Sequence, residues 1–422
     1  MDAAQTSATV PDGGRGWVIV GAVALINMTN QYIHSVFGLL FGAKLKSMQE
    51  QTFTAALILN LSSLTLNFSG LFIGPAIKTF KQRNVAAAGI LFVSLGLLLC
   101  AFATESWHFI IGYSLFVGLG LGLITPSTFM AINSYFNTKR GRAVGLSLAG
   151  SGVGQVTVPH VVRLLLDNYG FRATVFAMSL FSLIGLIGAA LLKPLAPPMR
   201  HNNRQHVRLL LSTDDEKNKT APPQLKVNEV ENNKLMNKEQ ANANYSVGLS
   251  SFNTATCMST VAGADIICRL LLPCITDKLK IPYRLVFLMG TVGLLISRAA
   301  LAESMDMTTI IVMSIFTGMT KSATVLNNNL TISSHCRPEK LPGGLGLNMI
   351  AKGVLVITVG QLLGWIRDYT HSYILCLHAQ NILLLMVVLV WAPELLCQYR
   401  KSQRARKAAA AEREEYNKMS AC

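Results

Sequence analysis

Apolar positions along this chain fall in long runs, without the alternation of a half-buried strand or the single stripe of a soluble helix. The runs occupy 17–41, 54–76, 84–104, 107–132, 142–166 and 174–195, and resume at 251–273, 285–302, 307–333, 343–365 and 373–397. A bilayer core takes roughly 20 apolar residues in helix, and each run is about that size or longer. The pattern predicts an all-α, polytopic membrane protein with eleven recognisable spans, six before a hydrophilic stretch and five after it. Small residues crowd some spans, as at Gly118, Gly120 and Gly122 and at Gly145, Gly150, Gly152 and Gly154. In a membrane such positions let helices approach closely, so they predict helix–helix contacts.

The interruption has another composition. It holds Asp214, Asp215, Glu216, Lys217, Lys219, Pro222 and Pro223, then Asn-rich sequence to Asn244. Too little apolar surface is available there to offset the ordering entropy, so it reads as a flexible linker. Four segments follow: an N-terminal six-helix bundle over 1–196, a cytoplasmic loop over 197–249, a C-terminal bundle of five helices over 250–399, and a basic cytoplasmic tail over 400–422.

Composition supports the lipid reading. Of 422 residues, 51% are apolar and 14% charged, where a soluble domain carries about 25% charged. The formal net charge is +16, which in a soluble chain would suggest nucleic acid. Here the Lys and Arg sit between apolar runs, where a membrane protein keeps its cytoplasmic positives, so no nucleic-acid partner is expected. Cys100, Cys257, Cys268, Cys274, Cys336, Cys376, Cys397 and Cys422 have no CxxC spacing and no neighbouring His cluster. They read as small buried hydrophobes, with neither a disulfide framework nor a metal site. The polar start and the long first run predict no cleavable leader.

Orientation follows from the short loops. Lys78, Lys81 and Arg83 follow the second run and Lys139, Arg140 and Arg142 the fourth, which places both loops, the N-terminus and the central loop in the cytoplasm. In the second half, Lys278, Lys280 and Arg284, then Arg337 and Lys340, then the tail mark the inside, while Glu303, Asp306 and Asp368 mark the outside. The central loop and the 277–284 loop are thus both inside with one span between them. Three resolutions are open: a span is absent before Tyr245, run 251–273 is re-entrant, or the second half inserts inverted. The absent span is the favoured one.

Three motifs resemble those of the monocarboxylate transporter family, a branch of the major facilitator superfamily. Pro11-Asp12-Gly13-Gly14-Arg15-Gly16-Trp17 is similar to the family's entry signature, with Arg15 where an aromatic is usual. Tyr135-Phe136-Asn137-Thr138-Lys139-Arg140-Gly141-Arg142-Ala143-Val144-Gly145 resembles its entry to the fifth span, and continues as Ala149-Gly150-Ser151-Gly152-Val153-Gly154. Asp265-Ile266-Ile267-Cys268-Arg269 is similar to the Asp-x-x-x-Arg of its eighth span. The resemblance implies a two-bundle fold of twelve spans. Run 251–273 would then be the eighth and the seventh would be missing, as in a variant shortened there.

Candidate chemistry lies inside the spans. Asp265 and Arg269 are four apart and share a helix face. Charges at mid-membrane are costly and tend to mark substrate or proton pathways, and a guanidinium matches a carboxylate bidentately. The plainer alternative is an ion pair that holds the bundle together. By resemblance Arg269 is the substrate-binding Arg and Asp265 the proton-coupling residue. His34 stands where lactate carriers of the family have a Lys, and a His satisfied by a nearby hydroxyl competes with a substrate role. Arg140 matches a substrate-binding Arg, though its basic neighbours are ordinary loop positives. Lys352 reads as deeper than Lys321, with a snorkelling stem as the simple account of either, and the same account covers Arg298 and Arg163. Asn327, Asn328 and Asn329 read as hydrogen-bonding between helices.

HExxH, GxxxxGK[ST] and GxSxG are lacking, so no enzyme and no cofactor are expected, and uphill transport would draw on an ion gradient. The expected function is a secondary carrier of small monocarboxylates or related organic anions, with or without a proton, in the plasma membrane. Membrane lipid is its surroundings, and an accessory membrane subunit stays open. From another class comes a shortened, non-transporting isoform or receptor-like membrane protein.

Overall fold

A computed structural model of the chain describes residues 13–48, 52–192, 251–279, 281–304, 306–336, 340–370, 375 and 377–395. The loop expected over 197–249, the tail expected over 400–422, Cys376, Cys397, Cys422 and the first residues of the entry signature lie outside them.

Every regular element among the described residues is helical. They run α1 Arg15–Asn30, α2 Phe37–Ser47, α3 Thr52–Phe68, α4 Gly70–Ala101, α5 Ser106–Phe109, a π-helical stretch Ile110–Val117, α6 Gly118–Tyr135, α7 Arg140–Leu183 and α8 Gly185–Leu191. After the central stretch come α9 Ser251–Leu279, α10 Tyr283–Glu303, α11 Met307–His335, α12 Leu341–Thr370 and α13 Leu377–Leu395. Nine stretches are long and apolar enough to cross a bilayer. One of them, Arg140–Leu191, reverses at Gly170, whose φ of +74° suits a residue without Cβ. The broken pair α1 and α2 adds a further crossing, so the described residues make eleven. Their outer surface carries large exposed apolar side chains such as Phe72, Leu164, Ile187, Leu271, Met289 and Leu389, as a lipid-facing surface should.

The small residues set the helix spacing. A Cβ on Gly118 would lie 2.6 Å from the Ser62 carbonyl, on Gly120 2.5 Å from the Gly89 carbonyl, and on Gly150 2.4 Å from the Ala24 carbonyl. Backbones touch there, as close membrane packing demands. The same contacts give directions. Gly150 meets Ala24 and Gly154 meets Met28, so α7 leaves the face where α1 begins. Gly185 meets Asn30 and Gly188 meets Ala22, so α8 returns to that face. At this face Gly16 and Trp17 pack on Phe136, with Trp17 and Phe136 ring centroids 5.2 Å apart. Two of the sequence motifs therefore meet there. With Lys139, Arg140, Arg142 and Lys278 also there, it is the basic face.

Two contact rows join the halves. Along one, Gly141, Gly145 and Gly152 of α7 abut Asp277, Arg269 and Ile266 of α9. Along the other, Gly70 of α4 abuts Gly346 of α12, and Gly353 abuts Asn67 and Phe68. Position numbers rise on α7 as they fall on α9, so α9 ends at the basic face. It is a continuous helix of 29 residues, about 43 Å long. The re-entrant and the inverted resolutions are therefore both incorrect for this structure. Leu192 and Ser251 lie at opposite faces, with residues 193–250 between them in sequence.

Candidate functional site

Asp265 and Arg269 occupy successive turns of α9 on the face turned toward α7 and α11. Arg269 Nε donates to Asp265 Oδ1 at 2.9 Å and Nη2 to Oδ2 at 2.8 Å, a bidentate pair. The residues are 7% and 8% exposed. The third guanidinium nitrogen, Nη1, reaches across the interface to Ser151 Oγ of α7 at 3.4 Å. Ser151 gives its own hydrogen to the Leu148 carbonyl at 2.7 Å, so its oxygen is free to accept. The approach is close because Gly145 has no side chain: a Cβ there would sit 2.5 Å from the Arg269 carbonyl. The one ion pair buried on both sides among those of the described residues thus sits at the seam between the halves.

A third charge joins it from α11. Gly318 lies against Val261 and Asp265, where a Cβ would be 2.4 Å from the Val261 carbonyl. The Cys268 thiol donates to the Met319 carbonyl at 3.4 Å. These contacts bring Lys321, one turn past Gly318, level with the ion pair. It is 7% exposed, and the charges acting on it are Asp265 and Arg269. Lys352 is only half-buried, so the depth order expected of the two lysines is reversed.

The other candidates lie elsewhere. His34 sits in the turn between α1 and α2, buried, with Nδ1 3.2 Å from the Tyr113 hydroxyl. Tyr113 donates to the Ile33 carbonyl at 3.3 Å and belongs to an aromatic cluster with Phe37, Phe41 and Phe109. Since Ala24 abuts Gly150, His34 lies roughly 15 Å further along the first span than the level of Ser151. Arg140 lies about 16 Å from that level in the other direction, at the basic face. Its Nε donates to the Phe136 carbonyl at 3.2 Å and its Nη1 to Ser333 Oγ of α11 at 3.3 Å. Of the four sequence candidates, then, Asp265 and Arg269 are brought together, and His34 and Arg140 are not brought to them.

The basic face also holds a latch that the loop charges concealed. Asp277, near the end of α9, accepts from the Arg142 backbone N–H at 3.2 Å and pairs with its Nε at 3.7 Å. A carboxylate at the first turn of α7 also meets the positive end of that helix. Arg298 does not snorkel: it is buried and its guanidinium bonds the Gln380 side chain on α13. Asn327 bonds the Ala323 carbonyl of its own helix at 2.7 Å, not a neighbouring helix.

The family model of the Major Facilitator Superfamily matches residues 20–234, just over half the chain. The chain belongs to the major facilitator superfamily. Monocarboxylate transporter 13 of Rattus norvegicus is 30% identical over 187 residues, covering 44% of this chain and 44% of that protein. Monocarboxylate transporter 11 of Homo sapiens is 31% identical over 189 residues, covering 44% of this chain and 40% of that protein. The matches span less than half the length of these relatives. Among solved structures, the major facilitator proton:xylose symporter XylE bound to 6-bromo-6-deoxy-D-glucose superposes with a TM-score of 0.63 at 13% identity. It covers 90% of this chain and 95% of that one. At that identity the likeness concerns the fold alone. In a major facilitator fold the seam between bundles is where a substrate site belongs, and the Asp265–Arg269 pair lies on it.

Proposed function

We propose that the protein is a secondary carrier of small monocarboxylates or related organic anions. The observation that carries this reading is a buried, bidentate Arg–Asp pair at the junction of two bundles, with Ser151 of the other bundle on the same guanidinium. A guanidinium that already holds one carboxylate has the geometry to hold another in its place. Arg269 takes the substrate carboxylate, and Asp265 must let go for it to do so. Rocking of the bundles about this seam would expose the site to each face in turn. The names of the similar rat and human proteins support a monocarboxylate as cargo. His34 contributes to the first-span wall on the outer side, and Arg140 to the closure at the basic face. The basic face is cytoplasmic by the positive-inside rule, in the plasma membrane.

The test is flux through the purified full chain in proteoliposomes, with labelled lactate, pyruvate and butyrate. Saturable uptake that excess unlabelled acid suppresses is the expected result. Its absence for every acid overturns the reading. A non-transporting membrane protein is the second reading, and one observation favours it: Leu192 and Ser251 lie at opposite faces, joined by a stretch with no apolar run long enough to cross. The same flux assay separates the two. For orientation, single cysteines at Lys139, Lys278 and Lys340 should all resist an impermeant reagent added outside intact cells; labelling of any of them would reverse the assignment of faces.

A further inference from the structure

We infer that Lys321 does at this site what a co-transported proton would otherwise do, so that the carrier moves the carboxylate anion alone. The inference rests on the carrier reading above and adds the ion coupling. Its basis is a charge count at a buried place. Without Lys321, Arg269 and Asp265 sum to zero, and a bound anion would leave one uncompensated negative charge inside the protein. Such a charge is costly in a low-dielectric interior, and a proton on Asp265 would remove it. With Lys321 there are two cations and one carboxylate before loading, a positive excess that is costly in the same way, and two of each afterwards, so that binding the anion removes the excess. The loaded site is neutral with no proton.

The geometry allows the exchange. Among the described residues Lys321 has neither a hydrogen-bond nor an ion-pair partner, although it is almost fully buried. It is level with Asp265 because α11 and α9 touch at Gly318 and at Met319. Asp265 can therefore release Arg269 to the substrate by turning to the Lys321 ammonium instead of by being protonated. Other ionisable groups on the helices packed against α11 are placed differently. From α9 the Cys268 thiol is engaged with the Met319 carbonyl. From α10 Arg298 is on Gln380, from α12 Lys352 is half-buried, and from α7 His160 and Arg163 are exposed while Arg140 sits at the basic face on Ser333.

The experiment uses the full chain in proteoliposomes with labelled pyruvate. In one arm a potassium gradient and valinomycin impose 100 mV, positive inside, at equal pH. In the other the outside is one pH unit more acid at zero potential. Anion transport alone predicts about fifty-fold accumulation in the first arm, one charge across 100 mV, and none in the second. Proton symport predicts the converse, about ten-fold accumulation with the pH gradient and indifference to potential, and would overturn the inference. In Lys321→Met the site again lacks its second cation, so accumulation should come to follow the pH gradient. A Lys321→Met protein that keeps potential-driven accumulation overturns the role given to Lys321. The wild-type arms decide the coupling whether or not that variant folds. No saturable flux in either arm would overturn the carrier reading itself and this inference with it.

Discussion

Removing one member of the Asp265–Arg269 pair separates a transport role from a structural one. Arg269→Ala leaves Asp265 buried without its bidentate partner, and Asp265→Asn leaves Arg269 beside Lys321 with no carboxylate. Breaking a buried pair from one side costs about 3–5 kcal/mol, because the remaining charge is stranded. The swap Asp265→Arg with Arg269→Asp keeps the i,i+4 spacing and the burial, so it should recover most of that stability. Transport has a different dependence. If Arg269 holds the carboxylate, its loss removes charge-assisted bonds worth about 2–5 kcal/mol, a fall of roughly 30-fold to several thousand-fold in apparent affinity. The swap moves the cation by one helical turn, about 6 Å, away from Ser151, so uptake should stay low while stability returns. The assay pairs uptake into proteoliposomes with thermal unfolding in detergent, followed by reaction of a dye with buried Cys100. Normal uptake by either single variant at equal protein level refutes the assignment. Full uptake by the swapped protein would show that the pair only holds the bundles together.

Three further outcomes follow from the packing. Gly70→Ala places a Cβ 2.5 Å from the Gly346 carbonyl and should lower stability by about 1–3 kcal/mol, whereas Gly74→Ala, whose nearest neighbour is 3.8 Å away, should change it by under about 0.5 kcal/mol in the same dye assay. Asp277→Asn weakens the latch on α7 by about 1–2 kcal/mol, which should make a cysteine at Ser151 react faster with reagent added from the basic face; an unchanged rate would mean that the latch is incidental. Tyr113→Phe removes the hydroxyl shared by His34 and the Ile33 carbonyl and should cost about 1–2 kcal/mol in thermal unfolding.

What the sequence shows and what it hides divide along a physical line. Spans are legible because hydrocarbon imposes a length and a composition on each helix regardless of its neighbours. The Asp265–Arg269 pairing is legible for a similar reason, since a four-residue spacing fixes the contact within one helix. Charge counting also exposes an odd count of recognisable spans, and among the described residues α8 ends at the basic face while α9 begins at the opposite one. Contacts between helices carry no such local signature. Lys321 and Lys352 each interrupt an apolar run, each close to a glycine, and the sequence alone ranks them in the wrong order. The difference lies in what each glycine meets. Gly318 admits the backbone of α9 at the turn that bears Asp265, whereas Gly353 faces Asn67 and Phe68 of α3. One lysine is thereby buried beside an ion pair while the other stays half-exposed. Asp277 is hidden in the same way: in sequence it is one acid among loop bases, and only the reversed course of α9 against α7 sets it at a helix N-terminus. The side chain on which the proposed ion coupling turns is thus set beside Asp265 by the helix that its neighbouring glycine touches.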